Sequence, residues 1–175
     1  LCIVGAGNIA QSAHLPAYQK RDDVEITGIA DLNLERAQEA AKKFGIPKAF
    51  SSVEEMLANV ECDYVDICVW NRSHAPVAIA AARAGKHILC EKPMALNLEH
   101  ALEMKKEIEK AGGVNFDKPI LLGYTGLSDK LLQKYIRDSE ALWKHSKTKL
   151  NTTIIGSVIG THAGPGAVVV AFFRN

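Results

Sequence analysis

The amino-acid sequence predicts an α/β protein, with a doubly wound, mostly parallel sheet covered by helices on both faces. Three observations carry that expectation. Short apolar runs alternate with helical patterns throughout residues 1–112, the alternation that builds parallel sheets. The first run, Leu1–Val4, passes directly into Gly5-x-Gly7-x-x-Ala10 and then into a helical stretch. A second apolar stretch, Val24–Ala30, ends on Asp31, about 20 residues past the glycine turn.

In the opening turn each small residue has its own job. Gly5 permits the turn, Gly7 lets a pyrophosphate approach the backbone, and Ala10 keeps helix and strand close. The unpaired N–H groups of the helix's first turn then face the phosphates, helped by the helix dipole. Asp31 stands where a ribose-binding acid belongs. The order strand, glycine turn, helix therefore predicts dinucleotide-binding geometry, against the plainer reading of a βα turn of the same shape.

The other elements follow in order. Gln11–Lys20 makes the first helix, bent or shortened at Pro16, and His14 on it either faces the phosphate cleft or packs, with packing favoured. Asn33 caps a helix over Leu34–Phe44, and Gly45 stops it. A short strand at Lys48–Phe50 precedes the capping box Ser52-Val-Glu-Glu55, which opens a brief helix to Asn59. Tyr64–Trp70 is the fourth strand, with Asn71-Arg-Ser-His74 after it and Pro76 in the first turn of a helix ended by Gly85. His87–Cys90 is the fifth strand and runs into Glu91-Lys92-Pro93. Asn97 caps a helix to Ala111, with Ala101, Met104, Ile108 and Ala111 as its apolar stripe. Gly5–Ile9, Asp31, Trp70–His74 and Glu91–Pro93 are all strand-end residues, so one rim of the sheet collects every polar motif.

Beyond Gly112-Gly113 the style changes. Lys118–Thr125 reads as a sixth strand, and Ser128 starts a long helix buried through Leu131, Leu132, Tyr135, Ile136 and Leu142. Thr152–Ile159 and Ala167–Phe173 are two apolar strands joined by Gly160–Gly166, and a loop of that length predicts an antiparallel hairpin at one end of the sheet.

The 175 residues are enough for a sizeable core, and composition is ordinary for a globular chain: 47% hydrophobic, 23% charged. A net charge of +1 provides no field for nucleic acid or anionic membrane. The balance is uneven, since residues 1–112 hold 13 Lys+Arg against 16 Asp+Glu, and residues 113–175 hold 8 against 4. Cys2, Cys62, Cys68 and Cys90 form no Cys-x-x-Cys, so buried reduced thiols are expected and no metal site. No apolar run reaches membrane-spanning length and no signal peptide is visible, which predicts a cytosolic, reducing context. The start at Leu1, without a methionine and directly on a strand, reads as a trimmed chain.

Residues 1–112 resemble the glucose–fructose oxidoreductase, inositol dehydrogenase and MocA family. The resemblance rests on Gly-Ala-Gly-Asn-Ile-Ala (5–10), His14-Leu-Pro, Asn71-Arg-Ser-His74 and Gly85-Lys-His-Ile-Leu-Cys-Glu-Lys-Pro93. It implies a Rossmann-like NAD(P)-binding domain. Gly5, Gly7, Asn8 and Ile9 would lie on the pyrophosphate and Asp31 on the adenosine ribose. Asn71, His74, Glu91 and Lys92 would lie near the nicotinamide. Asp31 repels a 2′-phosphate and so favours NAD over NADP, with Arg36 weakening that preference slightly. Where family members often carry Thr-Pro this chain has Val69-Trp70, a bulk set against the nicotinamide pocket.

Residues 117–173 resemble instead the C-terminal part of the DegV fatty-acid-binding family, through Tyr124–Leu132 and the loop Ile159–Gly166. That resemblance places His162 beside an acyl carboxylate, although the plainer reading is an exposed His in a hairpin loop. Two ancestries in one chain are read as an engineered chimera, a single α/β domain in which residues 113–175 complete the sheet. On that reading the protein has residual NAD binding and no complete catalytic site, because the sequence offers a cofactor and Lys92 as a weak acid–base candidate but nothing to hold a substrate. The alternatives are an NAD-dependent sugar or polyol oxidoreductase and a fatty-acid-binding module.

Overall fold

The computed structural model describes residues 1–113, 117–118, 120–124, 128–144, 150–155 and 168–171. The chain divides into two compact units, Leu1–Ala111 and Gly112–Asn175. In the first, β1 (Cys2–Val4), β2 (Gly28–Ala30), β3 (Ala49–Phe50), β4 (Tyr64–Ile67) and β5 (His87–Cys90) form a wholly parallel sheet. Its order is β3-β2-β1-β4-β5, so the direction of winding reverses between β1 and β4. That switch point opens a crevice at the carboxyl ends of the strands. The predicted α/β fold with a parallel sheet is therefore present, and it is Rossmann-like.

The period of two along each strand divides the core. Ile3 and Ile29 pack with Leu15 of α1 (Leu15–Tyr18) and with Ala40 and Ala41 of α2 (Leu34–Phe44). Cys2, Val4, Val65 and Ile67 face the other side. They share a core with Met56 of α3 (Val53–Asn59), Ala75–Ala81 of α4 (Asn71–Arg83) and Met104 of α5 (Leu98–Lys110).

Helix starts and stops fall where local chemistry put them. The Asn33 side chain accepts the Arg36 N–H at 3.1 Å, and Gly45 closes α2 at φ 70°. Asn97 accepts the His100 N–H at 2.9 Å. Ser52 accepts the Glu55 N–H, but the Glu55 carboxylate turns back to Ser51 rather than to Ser52, so only half of the expected capping box forms.

Two helices depart from expectation around a proline. The first begins at Asn8 and contains a π-helical turn, Ala10–His14, before α1. Pro16 has no N–H to donate, and Leu15 donates five residues back to Ala10, which widens the turn. α4 begins at Asn71, so Pro76 lies inside the helix rather than in its first turn.

The second unit carries the larger correction. β6 (Leu121–Tyr124) is the middle strand of a separate three-stranded sheet, β7-β6-β8, with β7 (Asn151–Ile154) and β8 (Val168–Ala171) on its flanks. β7 pairs with β6 in parallel, and β8 pairs with β6 antiparallel. The last two strands are not a hairpin, and they do not complete the first sheet. The reason is that a helical crossover joins β6 to β7, and a strand–helix–strand connection returns the chain parallel. That crossover is α6 (Lys130–Asp138) and α7 (Glu140–Trp143), split at Ser139, where one long helix was expected. Leu132 is fully buried with Ile120 and Leu122, but Leu131 is exposed.

Candidate functional site

The glycine turn lies at the head of the crevice. Gly5 has φ +100°, and a Cβ built on it would sit 2.5 Å from the Cys68 carbonyl oxygen, so glycine alone fits there. A Cβ on Gly7 would meet nothing within 4 Å, leaving the backbone bare to an approaching group. Asn8 and Ile9 are exposed in the helix's first turn, where backbone N–H groups lack intrahelical partners. A bare turn at a helix N-terminus is the chemistry a pyrophosphate requires, so these residues fit the dinucleotide the sequence implies.

Asp31, at the end of β2, is already fully engaged. Its Oδ2 accepts the Ala6 N–H at 2.8 Å and Arg36 Nε–H at 3.0 Å, and its Oδ1 accepts the Asn33 N–H at 2.8 Å and Arg36 Nη2–H at 2.6 Å. Burial pushes this carboxyl up, but Arg36 and the two backbone donors together hold it below the usual carboxylate range. The acid is thus half of a bidentate ion pair, and Arg36 remains half-exposed with donors to spare.

At the other end, Trp70 and Asn71 are exposed where α4 begins. His74 is buried, with Nδ1 2.6 Å from the Pro93 carbonyl oxygen and Nε2 3.0 Å from that of Val69. It ties the turn after β4 to the turn after β5. Glu91 is partly buried, its Oε2 accepting the Lys92 N–H at 3.1 Å, and the Lys92 residue is exposed.

Sequence reasoning missed the residue at the centre of this end. Asp66, in mid-β4, is fully buried. Its Oδ2 lies 2.7 Å from His14 Nδ1 and accepts the Tyr18 hydroxyl at 2.9 Å, while Cys68 donates to its Oδ1 at 3.7 Å. The opposite nitrogen of His14, Nε2, lies 2.8 Å from Glu91 Oε1. His14 therefore neither faces the phosphates nor merely packs; it bridges two carboxylates. The Asp66 hydrogen bond, against the opposing effect of burial, raises the imidazole to about 11. Burial raises the Tyr18 hydroxyl and the Cys68 thiol, and Asp66 adds to both. The signal in the sequence was an acid inside a buried apolar strand, which must find a partner.

His14, Asp66 and Cys68 are donor types that hold metals, and their ligand atoms lie within 4.8 Å of one another. The His14 ring and the Cys68 thiol both hydrogen-bond to the Asp66 carboxylate, so these ligand atoms already have partners in one another. All four cysteines are free thiols, and burial pushes Cys90 up to about 12. His162 lies outside the described residues. No described helix is long and apolar enough to cross a membrane.

The chain's similarities agree with this geometry. Residues 1–116 match the model of the GFO/IDH/MocA oxidoreductase family, NAD-binding Rossmann fold. D-glucoside 3-dehydrogenase of Escherichia coli K12 is 37% identical over 114 residues, 65% of this chain and 32% of that protein. Myo-inositol 2-dehydrogenase of Thermotoga maritima is 32% identical over 114 residues, 65% of this chain and 34% of that protein. Among solved structures, the WlbA dehydrogenase of Bordetella pertussis, in complex with NADH and UDP-GlcNAcA, aligns with a TM-score of 0.60 and 27% identity. The alignment covers 71% of this chain and 44% of that one. The chain spans about a third of the length of the two curated relatives. The family match covers residues 1–116, and nothing among the similarities supports a DegV-type segment or a chimera. The match over residues 1–116, on a five-stranded parallel sheet with a bare glycine turn at its switch point, means that the chain belongs to the GFO/IDH/MocA oxidoreductase family.

Proposed function

We propose that the chain is the NAD(P)-binding part of a sugar or polyol oxidoreductase. One observation carries the reading. The glycine turn, Asp31, Asn71 and Glu91–Lys92 each follow a strand at the same carboxyl rim, in a chain whose curated relatives act on a glucoside and on inositol. The nicotinamide, when bound, takes or gives the hydride. The chain's own residues do the rest. Gly5, Gly7, Asn8 and Ile9 hold the pyrophosphate, Asp31 and Arg36 meet the adenosine ribose, and Asn71, Glu91 and Lys92 line the nicotinamide end. His74 serves that end by fixing the Pro93 and Val69 carbonyls. Lys92 is the residue able to move a proton to or from a substrate oxygen.

The ion pair at Asp31 refines the choice of cofactor. A lone acid would repel a 2′-phosphate, but one paired with a half-exposed guanidinium does not, and the free donors of Arg36 can take that phosphate. NAD binds, and NADP is tolerated. Calorimetric titration with NAD and NADP, read in parallel by Trp70 fluorescence, tests binding; no saturable signal with either at millimolar levels overturns it. NADH formation from glucosides or inositols tests turnover.

A further inference from the structure

We propose that His14 is a positioning residue for the nicotinamide end: anchored on Asp66, it fixes the Glu91 carboxylate and, through it, the turn that carries Lys92. The inference rests on the assignment of Glu91 and Lys92 to that end, made above.

The contacts form an unbroken series from the middle of the sheet to the cleft. β4 is hydrogen-bonded on both sides, to β1 and to β5, so Asp66 is a fixed point. Tyr18 and Cys68 hold its carboxylate in place. His14 spans from that carboxylate, at 2.7 Å, to Glu91 Oε1, at 2.8 Å. The second Glu91 oxygen takes the Lys92 N–H at 3.1 Å. From the far side His74 holds the Pro93 carbonyl, so the three-residue turn is gripped at both ends.

Geometry also decides what His14 does not do. An imidazole facing carboxylates with both nitrogens donates from both and is an imidazolium. The groups facing it are Asp66 from β4, Cys68 just past the end of that strand, Tyr18 from α1 and Glu91 after β5; the hydrogen bond to Asp66 favours the charged ring most. At neutral pH such a ring has no lone pair with which to act as a base or to take a metal. What remains is a rigid, charged strut. The widened π-helical turn at Ala10–His14 sets this ring between strand and turn.

The test compares two ligands across a mutant cycle. ADP reaches only the adenosine and phosphate part of the cleft, whereas NAD also reaches the nicotinamide end. In H14Q, the dissociation constant for NAD should rise about tenfold, while that for ADP stays within about twofold. E91Q should behave alike, and H14Q/E91Q should be no weaker than the weaker single variant, because one residue acts through the other. Equal losses for NAD and ADP in H14Q, no loss at all, or additive losses in the double variant would each overturn the proposal. If H14Q does not fold, D66N takes its place in the cycle. It neutralises the buried carboxylate that anchors His14 without stranding a charge in the core, and the same NAD-selective loss is expected. Nitrogen NMR of the histidine side chains should show a doubly protonated His14 ring near pH 8, and a neutral ring there would overturn it. Wild-type protein that binds neither ligand sinks the nucleotide reading itself, and this proposal with it. Wild-type protein that binds ADP as tightly as NAD overturns the proposal alone.

Discussion

Asp66 explains more of this site than any residue in the glycine turn, yet its sequence context, Tyr-Val-Asp-Ile, reads simply as strand. Two of its partners, His14 and Tyr18, lie about 50 residues back in the chain, and His14 leads on to Glu91, a long-range set that no local pattern announces. The consequence is measurable. The folded-state pKa of His14 lies above its unfolded value, so its contribution to stability is complete below about pH 6.5. It is lost as pH rises toward about 11. The thermal midpoint should therefore fall steadily from neutral to alkaline pH, and D66N should flatten much of that slope. A midpoint flat across this range in the wild type would contradict the bridge. His14→Ala, which strands the Asp66 charge in the core, should cost about 3–5 kcal/mol in chemical denaturation. Arg36 allows a second test at the same scale. R36A should weaken NADP binding about tenfold, since it removes one charge-assisted contact, and leave NAD within about threefold. Equal changes for the two cofactors would separate Arg36 from the 2′-position.

Elements were legible in proportion to how local their causes are. α2 lies where Asn33 and Gly45 put it, because a cap and a left-handed stop are set by neighbouring residues. The π-helical turn and the β7-β6-β8 sheet were not legible. One depends on how a helix answers Pro16 while His14 and Tyr18 reach Asp66 on β4, and the other on both apolar strands pairing with β6 rather than with each other. A flanking loop predicts a hairpin; a crossover helix overrides it. The glycine turn lends itself to a paired experiment at this scale. Gly5→Ala forces a Cβ to 2.5 Å from the Cys68 carbonyl oxygen at φ +100°, and should destabilise the fold by about 3 kcal/mol or more. Gly7→Ala places its methyl in open space. Stability should stay within about 1 kcal/mol while NAD affinity drops at least tenfold, because the methyl stands where the pyrophosphate approaches. Loss of stability without loss of affinity in Gly7→Ala would mean that the turn is a structural joint and not a phosphate cradle.

Across the whole molecule, the large, fully buried side chains are unequally shared. Ile3, Leu15, Ile29, Met56, Val65 and Ile67 belong to the first unit, with two core clusters on opposite faces of one sheet. Among the described residues of the second, Ile120, Leu122 and Leu132 form a single small cluster. A parallel sheet covered on both faces can sustain itself, whereas a domain of about 60 residues buries too little surface to be more than marginal. The two units also differ in charge, the first with an acidic surplus and the second with a basic one. Separate fragments should therefore behave very differently. Residues 1–113 alone should unfold cooperatively, by circular dichroism, within about 5 °C of the full chain. They should also bind NAD with unchanged affinity, because every residue assigned to the cofactor lies before Pro93. Residues 112–175 alone should show no cooperative transition. If residues 1–113 instead melt without cooperativity, the first sheet draws its stability from the second unit, and the nucleotide cleft is a property of the whole chain.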